Sequence, residues 1–335
     1  FTLETGNDKF HSERGMPNVL TYEGFKRTYS PEGMWPQSHE WGMHDYTLEG
    51  AQGATSFNEI ISKGYGEPQN AKEFADLAQW VNYDGHRSLF ESRSKNRMGL
   101  LMWMSHSCWP SMVWQTYDYY LEPTAAYFAI KKASEPLHIQ WNPATDEVEV
   151  VNYSAGTRND LTAKVQILNM DGSVVWEKTA TVNSREDTTE KCIRLEFPDN
   201  LSQVHFLKLW LTENGNVISE NFYHRSLEEN NYQALKQLPQ VTLNCQSEAR
   251  QDEKGNWTAT VTLENPTSVP ALMTRVNVTG DKDGDQFLPI FYSDNYFALL
   301  PGEKKVITVR WKDVDTRGNA PVFNISGYNI KEISK

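Results

Sequence analysis

At 335 residues the chain is long enough for two or three domains with cores of their own, and with 39% hydrophobic and 23% charged residues it falls in the ordinary globular range. A formal charge of −12 is the wrong sign for neutralising phosphates, which argues against nucleic acid and anionic membranes as partners, and no apolar run approaches the roughly 20 residues of a membrane helix. What stands out is 12% aromatic residues, among them 11 Trp, in an otherwise acidic and polar chain. Flat apolar rings beside carboxylates suit a carbohydrate, and they suit a core equally well.

The chain opens on Phe1 with neither a basic n-region nor an apolar h-region, and it reads as a piece of a longer product. Its three cysteines, Cys108, Cys192 and Cys245, are too few and too scattered for a disulfide framework, and their odd number leaves at least one unpaired. From Phe1 to about Pro136 short apolar runs alternate with helical stretches. The run Lys9 to Glu13 reads as a strand. Asn70 followed by Glu73 makes a capping box, and Phe74, Leu77, Ala78 and Val81 recur at i, i+3, i+4, i+7, which predicts a helix over about 70–92. The run Met98 to Met104 is short and sharply bounded, as a buried parallel strand is. A second helix follows, with Pro123 in its first turn, Lys131 and Lys132 at its cation-favouring end and Pro136 beyond it. Two β/α units of a parallel α/β fold result.

Beyond Pro136 the period changes to two. Val148, Val150 and Val151, then Leu161, Ala163, Val165 and Ile167, then a turn at Asp171-Gly172 are hairpin signals, and Val204 to Leu211, apolar on both faces, reads as a central strand. After a polar link at 227–240 the alternation restarts with Trp257, Ala259, Val261 and Leu263. Two Ig-like sandwiches are the economical reading. The division expected is thus 1–136 α/β, 137–226 sandwich, 227–240 linker and 241–335 second sandwich.

Active sites of parallel α/β folds lie at the carboxyl ends of strands, which singles out Glu13 and the stretch Trp103 to Trp109. Glu13 could present a carboxylate just before the breakers Gly15 and Pro17, although a strand-end Glu is more often a solvated charge. Trp103 and Trp109 frame His106; the spacing alone also fits a buried aromatic cluster. His106 with Cys108 lacks the partner pair that zinc demands, and His39, His44 and Asp45 fit a loop hydrogen-bond network better than a metal site. No phosphate-cradling loop, GxGxxG, HExxH or GxSxG is present. No metal or cofactor is expected.

Three segments, in order, resemble glycoside hydrolase family 2, in its exo-β-D-glucosaminidase and endo-β-mannosidase branch. GLLMWMSHSCWPSMVWQTYDYYLEPTAAYFAIKKASEPLHIQWN (99–142) looks like the eighth strand and helix of that branch's catalytic barrel running into a sandwich. FHSERGMP (10–17) looks like its seventh-strand motif, and PIFYSDNYFALLPGEKK (289–305) like its terminal sandwich. The resemblance implies a multidomain α/β plus all-β fold: the C-terminal part of a (β/α)8 TIM barrel and two immunoglobulin-like β-sandwiches. It implies that Glu13 is the nucleophile of a retaining glycosidase, with Ser12, Trp103, His106 and Trp109 around the sugar. His106 stands where the glucosaminidase pattern Trp-x-x-Asn-x-x-Trp has Asn, and an imidazole does not donate and accept as an amide does.

Retaining hydrolysis uses two carboxyl groups about 5 to 5.5 Å apart. The resemblance puts the second, the acid/base, on an earlier strand upstream of Phe1. The chain is therefore expected to need the remaining N-terminal part of the same enzyme as its partner and to be inactive as an isolated piece. Its substrate would be a terminal β-linked amino sugar, or a mannoside in a β-mannosidase or endo-β-mannosidase, and its location secreted or periplasmic. The reading from another class is a non-catalytic carbohydrate-binding or scaffold module, with Trp257 and Tyr292 as candidate sugar-binding aromatics.

Overall fold

The computed structural model describes residues 10–46, 54–92, 99–112 and 114–335. β1 (Phe10–Arg14) and β2 (Gly99–Met102) run parallel, with Phe10 opposite Gly99 and His11 opposite Leu100. Lys9 and Met98, where the two expected runs begin, lie outside the described residues. β2 stops at Met102, two residues earlier than the apolar run, because the Met104 N–H turns away to donate to the Trp114 carbonyl at 3.0 Å.

Between the strands lie four helices, α1 (Tyr22–Thr28), α2 (His39–Met43), α3 (Ala54–Tyr65) and α4 (Ala71–Glu91); sequence reading gave α4 only. The others carry readable signals. Thr21 and Ser38 cap α1 and α2 by accepting from the backbone N–H of Gly24 and Glu40, and Phe57, Ile61 and Tyr65 form the buried stripe of α3. Asn70 does cap α4, accepting from Glu73 N–H at 2.9 Å, but the Glu73 carboxylate reaches back to Gln69 N–H, one residue beyond the box. α5 (Ala125–Ala133) begins after Pro123 and Thr124 and carries Lys131 and Lys132 in its last turn.

α4 is buried nearly all round. Its apolar side meets Trp35, Trp41 and the helices before it, while its polar residues satisfy backbone groups of the neighbouring segments. Asn82 donates to Pro17 O (2.6 Å) and accepts from Val19 N–H (3.2 Å), and Gln79 donates to the carbonyls of Val19 and Leu20 and accepts from Ala125 N–H. These bonds fix the chain just after β1.

The first sandwich places the sheet β3 (Leu137–Asn142), β4 (Glu147–Asn152) and β7 (Thr188–Arg194), in the order 3-4-7, with a four-stranded sheet. The latter joins β5 (Arg158–Asn169), β6 (Val174–Ser184), β8 (Val204–Glu213) and β9 (Asn216–Ser226) in the order 6-5-8-9, and all neighbours in both sheets are antiparallel. Leu161, Ala163, Val165 and Ile167 are fully buried, as their alternation predicts. Central β8 is apolar on both faces for a tertiary reason: Leu207, Leu209 and Leu211 enter the sandwich core, while Val204 and Phe206 belong to the core around α4.

The second sandwich has β10 (Asn244–Gln251), β11 (Asn256–Glu264), β13 (Phe291–Tyr292) and β15 (Lys304–Lys312) in one sheet, ordered 10-11-15-13. The other holds β12 (Ala271–Gly280), β14 (Phe297–Leu299), β16 (Pro321–Ser326) and β17 (Ile333–Ser334), ordered 14-12-16-17. Its core takes in Ala125, Phe128 and Ala129 of α5. Trp257 and Tyr292 are structural here, which removes both from the sugar-binding candidates. Trp257 stacks on buried Trp311 (5.9 Å, 7°) and donates its indole N–H to Asp313, and Tyr292 is 8% exposed with its hydroxyl accepting from Val278 N–H.

Buried charges join the parts. Glu91 at the end of α4 accepts from Asn221 and Tyr223 of β9 and pairs with His138 of β3, whose other nitrogen faces Glu135. On β12, Arg275 bonds Glu23 of α1 and Glu122 before α5, both at 2.8 Å, and Arg27 pairs with Asp118 and Glu122. Burial raises the Glu23 carboxyl, but the charge and hydrogen bond of Arg275 outweigh it and bring it down to about 2. Glu220 of β9, pinned by Lys208 and Lys305, ties the two sandwiches together.

Two predictions follow from these contacts. Arg275→Met strips Glu23 of its cation and weakens the hold on Glu122 in a buried setting, and it should lower unfolding free energy by about 3 kcal/mol or more, read as a shifted urea midpoint. Burial lowers the pKa of His138, but its hydrogen bonds to Glu135 and Glu91 and their charges more than reverse this, so it is raised above 6.5. Its contribution to stability is present in full below the unfolded value and is lost as pH rises through the folded one; calorimetry between about pH 6 and 9 should show a declining melting temperature, and His138→Gln should flatten that decline.

Candidate active site

Because β1 and β2 are parallel, their carboxyl ends open at the same edge, and this edge carries every sequence-predicted site residue. Glu13 is the next-to-last residue of β1, and Ser12 and Glu13 are both exposed. Trp103 follows β2 directly, its N–H donating to Arg14 O at 2.7 Å, so its backbone sits one residue from Glu13 across the pair. The Trp103–Met104 peptide is cis. Gly15 makes this close approach possible: a Cβ there would lie 1.9 Å from the Trp103 carbonyl oxygen.

Trp103 is 47% exposed and Trp109 42%; all 11 Trp are described, and these two alone are exposed. The aromatic excess therefore divides cleanly, with the remaining Trp residues wholly or partly packed and two rings left at the strand ends. Their loop is anchored. Ser105 O accepts from the N–H of Thr116 and Tyr117 and from the Thr116 hydroxyl. Trp109 stacks one face on His44 (5.5 Å, 21°), whose Nδ1 lies 2.6 Å from Pro110 O and whose carbonyl accepts from Met112 N–H. His44 thus supports a candidate site residue from beneath and is hydrogen-bonded into the loop, while His39, grouped with it and Asp45 in the anticipated loop network, instead opens helix α2. His106 is exposed, with Nε2 3.5 Å from Tyr119 O, too long for a firm hydrogen bond. Cys108 is exposed and unpaired, and among the described residues no three His, Cys, Asp or Glu side chains converge as metal ligands would.

A carboxylate at a strand end beside exposed rings is equipped to hold a sugar and attack it. Comparison with known proteins places the chain among glycosidases of one branch. Residues 221–330 match the exo-β-D-glucosaminidase Ig-fold domain, and residues 146–226 the mannosidase Ig/CBM-like domain. The exo-β-D-glucosaminidase of Streptomyces avermitilis is 30% identical over 98% of this chain, and that of Amycolatopsis orientalis 29% over 93%. This chain is a homologue of the exo-β-D-glucosaminidases. The glycoside hydrolase branch expected from the three motifs is the right one. The crystal structure of the Amycolatopsis orientalis exo-chitosanase superposes with a TM-score of 0.89 at 26% identity, covering 97% of this chain, and that enzyme has also been solved in complex with PNP-β-D-glucosamine. The match gives the fold as the end of a (β/α)8 barrel followed by two Ig-like sandwiches. The chain spans 40% of the Streptomyces relative and 42% of the exo-chitosanase chain.

What sequence reading missed is the cluster Arg27, Asp118 and Glu122 beneath the loop. Isolated charges in a mixed segment carry no local signature, and only the pairing of Arg27 with Asp118, at 2.7 Å, and with Glu122 marks them. Gly15 generates a prediction: Gly15→Ala drives a methyl into the Trp103 carbonyl and should cost about 1 to 3 kcal/mol, with a changed Trp emission from the displaced ring, whereas Gly42→Ala, on α2 with nothing in the way of the added methyl and no positive φ, serves as control for added volume.

Proposed function

We propose that this chain supplies the nucleophile side of a retaining exo-β-glycosidase acting on terminal β-linked glucosamine. The observation that carries the reading is the juxtaposition of exposed Glu13 with Trp103 at the shared carboxyl edge of two parallel strands. In this scheme the terminal sugar lies with its apolar C–H face against the Trp103 ring, and Ser12, His106 and Trp109 complete its surroundings. The Glu13 carboxylate attacks the anomeric carbon to form a glycosyl ester as the leaving oxygen takes a proton from an acid. Water, deprotonated by the same group, then releases the sugar with its β configuration retained. The acid/base is assigned to a segment that corresponds to the part of the relatives' length this chain does not span, and with it the completion of the barrel. Secretion to a compartment where polymeric glycans are met fits the same scheme.

A β-mannosidase is the second reading, favoured by the mannosidase-type domain match over 146–226 and by His106, which changes the donors available beside the sugar. A non-catalytic glycan-binding module is weaker, since Trp257 and Tyr292 are committed to the second sandwich.

In the full-length product Glu13→Gln should lower turnover of an aryl β-D-glucosaminide by at least about a thousandfold with an unchanged melting temperature. Retained turnover in that variant would end the assignment, and faster cleavage of aryl β-D-mannosides by the wild type would move it to the second reading.

A further inference from the structure

The turn Asp118–Glu122, beside the candidate site, has its two ends buried and its tip in the open. Asp118 and Glu122 are each 3% exposed, whereas Tyr119, Tyr120 and Leu121 are 42%, 36% and 42% exposed. The turn is closed three times over: Asp118 N–H donates to Glu122 O (3.0 Å), Leu121 N–H to Asp118 O (3.0 Å), and Glu122 N–H to the Asp118 carboxylate (2.8 Å). Beneath it Arg27 holds both carboxylates, and the second sandwich reaches in with Arg275 and Gln286, which donate to Glu122 Oε1 at 2.8 and 2.9 Å. Three successive side chains with large apolar surfaces thus stand open on a turn held by its own hydrogen bonds.

The backbone of the turn also adjoins the loop that follows Trp103. Tyr117 bridges to His106, and Tyr119 O is 3.5 Å from His106 Nε2, three residues on from Trp103. The rings stand edge to face, 5.3 Å apart at 84°, and the Arg27 guanidinium lies over the Tyr120 ring at 5.3 Å. One cation thus braces both the turn and one of its rings, so little side-chain freedom is left to lose on binding.

We propose that Tyr119 and Tyr120 form an aromatic platform for the sugar on the leaving side of the bond cut at Glu13, so that the second sandwich shapes a substrate subsite through Arg275 and Gln286. This rests on the glycosidase reading above. The occupant is a β-linked oligosaccharide of amino sugars: its pyranose faces match the rings, and its cationic residues suit a chain of net charge −12.

The test compares two substrates in the full-length protein, a β-1,4-linked glucosamine tetrasaccharide and β-glucosaminyl fluoride, whose leaving group is a single atom. Tyr119→Ala and Tyr120→Ala should each raise KM for the tetrasaccharide about tenfold and leave kcat/KM for the fluoride within about twofold, while the Phe variants keep the wild-type KM. Equal losses on both substrates, or an unchanged tetrasaccharide KM, would overturn the platform. Absence of turnover of either substrate by the wild type would instead strike the glycosidase reading.

Discussion

The structure depends on one long helix whose polar side cannot reach water. α4 buries Gln79, Asn82, Arg87 and Glu91 along with its apolar residues, and a buried polar group without a partner costs on the order of 1–3 kcal/mol. The partners lie in two distant parts of the chain, the segment after β1 and the strands of the first sandwich. Gln79 and Asn82 bond the backbone of residues 17–20, Arg87 bonds Asn221 and the Phe222 carbonyl, and Glu91 takes Asn221, Tyr223 and His138. The α/β part and the first sandwich are therefore fixed to one rod. The second sandwich is fixed through α5 and through Arg275.

This arrangement explains how a candidate site built on short strands is held. β1 and β2 contribute only nine residues to the described parallel sheet, too few for strand pairing alone to fix positions at their ends. Precision comes instead from the chain on either side: the segment after Glu13 is bonded to α4, the segment after Trp103 to Ser105 and His44, and the turn at 118–122 to Arg27 and the second sandwich. The sandwiches are thereby part of the site's support. Titration enters here too, since His86 on the same helix is pushed by burial down to about 4 and favours its neutral form, while His138 favours its charged one.

Much was legible from local pattern. Alternation at Leu161 to Ile167 and at Ala259 to Leu263 marks buried strand faces because side chains alternate sides every residue, and the i, i+3, i+4, i+7 set of α4 marks a helix for the corresponding reason. Asp171-Gly172 reads as a hairpin because Gly172 adopts positive φ at low cost; Asn214-Gly215 joins β8 to β9 in the same way, with Asn214 also at positive φ. The candidate site was legible in its members, Glu13 and Trp103 to Trp109, because strand ends and motif resemblance both pointed there. Helices α1 to α3 were overlooked although Thr21, Ser38 and the Phe57–Ile61–Tyr65 stripe announced them.

By itself, then, the sequence determined the helices α4 and α5 and the alternating strands of the sandwich cores, where the period changes from one class to the other, and which family the motifs resemble, since all of these rest on residues within a few turns or pleats of one another. Only the tertiary structure decided which aromatics are rings in a core and which stand open. Trp257 and Trp103 are alike in composition, and they differ because Trp311 and Asp313 cover one of them. It likewise decided the fate of the charges. Whether Glu91 or Glu122 is solvated or buried depends on Asn221, 130 positions from the first, and on Arg275, 153 from the second. A polar side chain's energy is set by its partner, and no local period encodes a partner that distant.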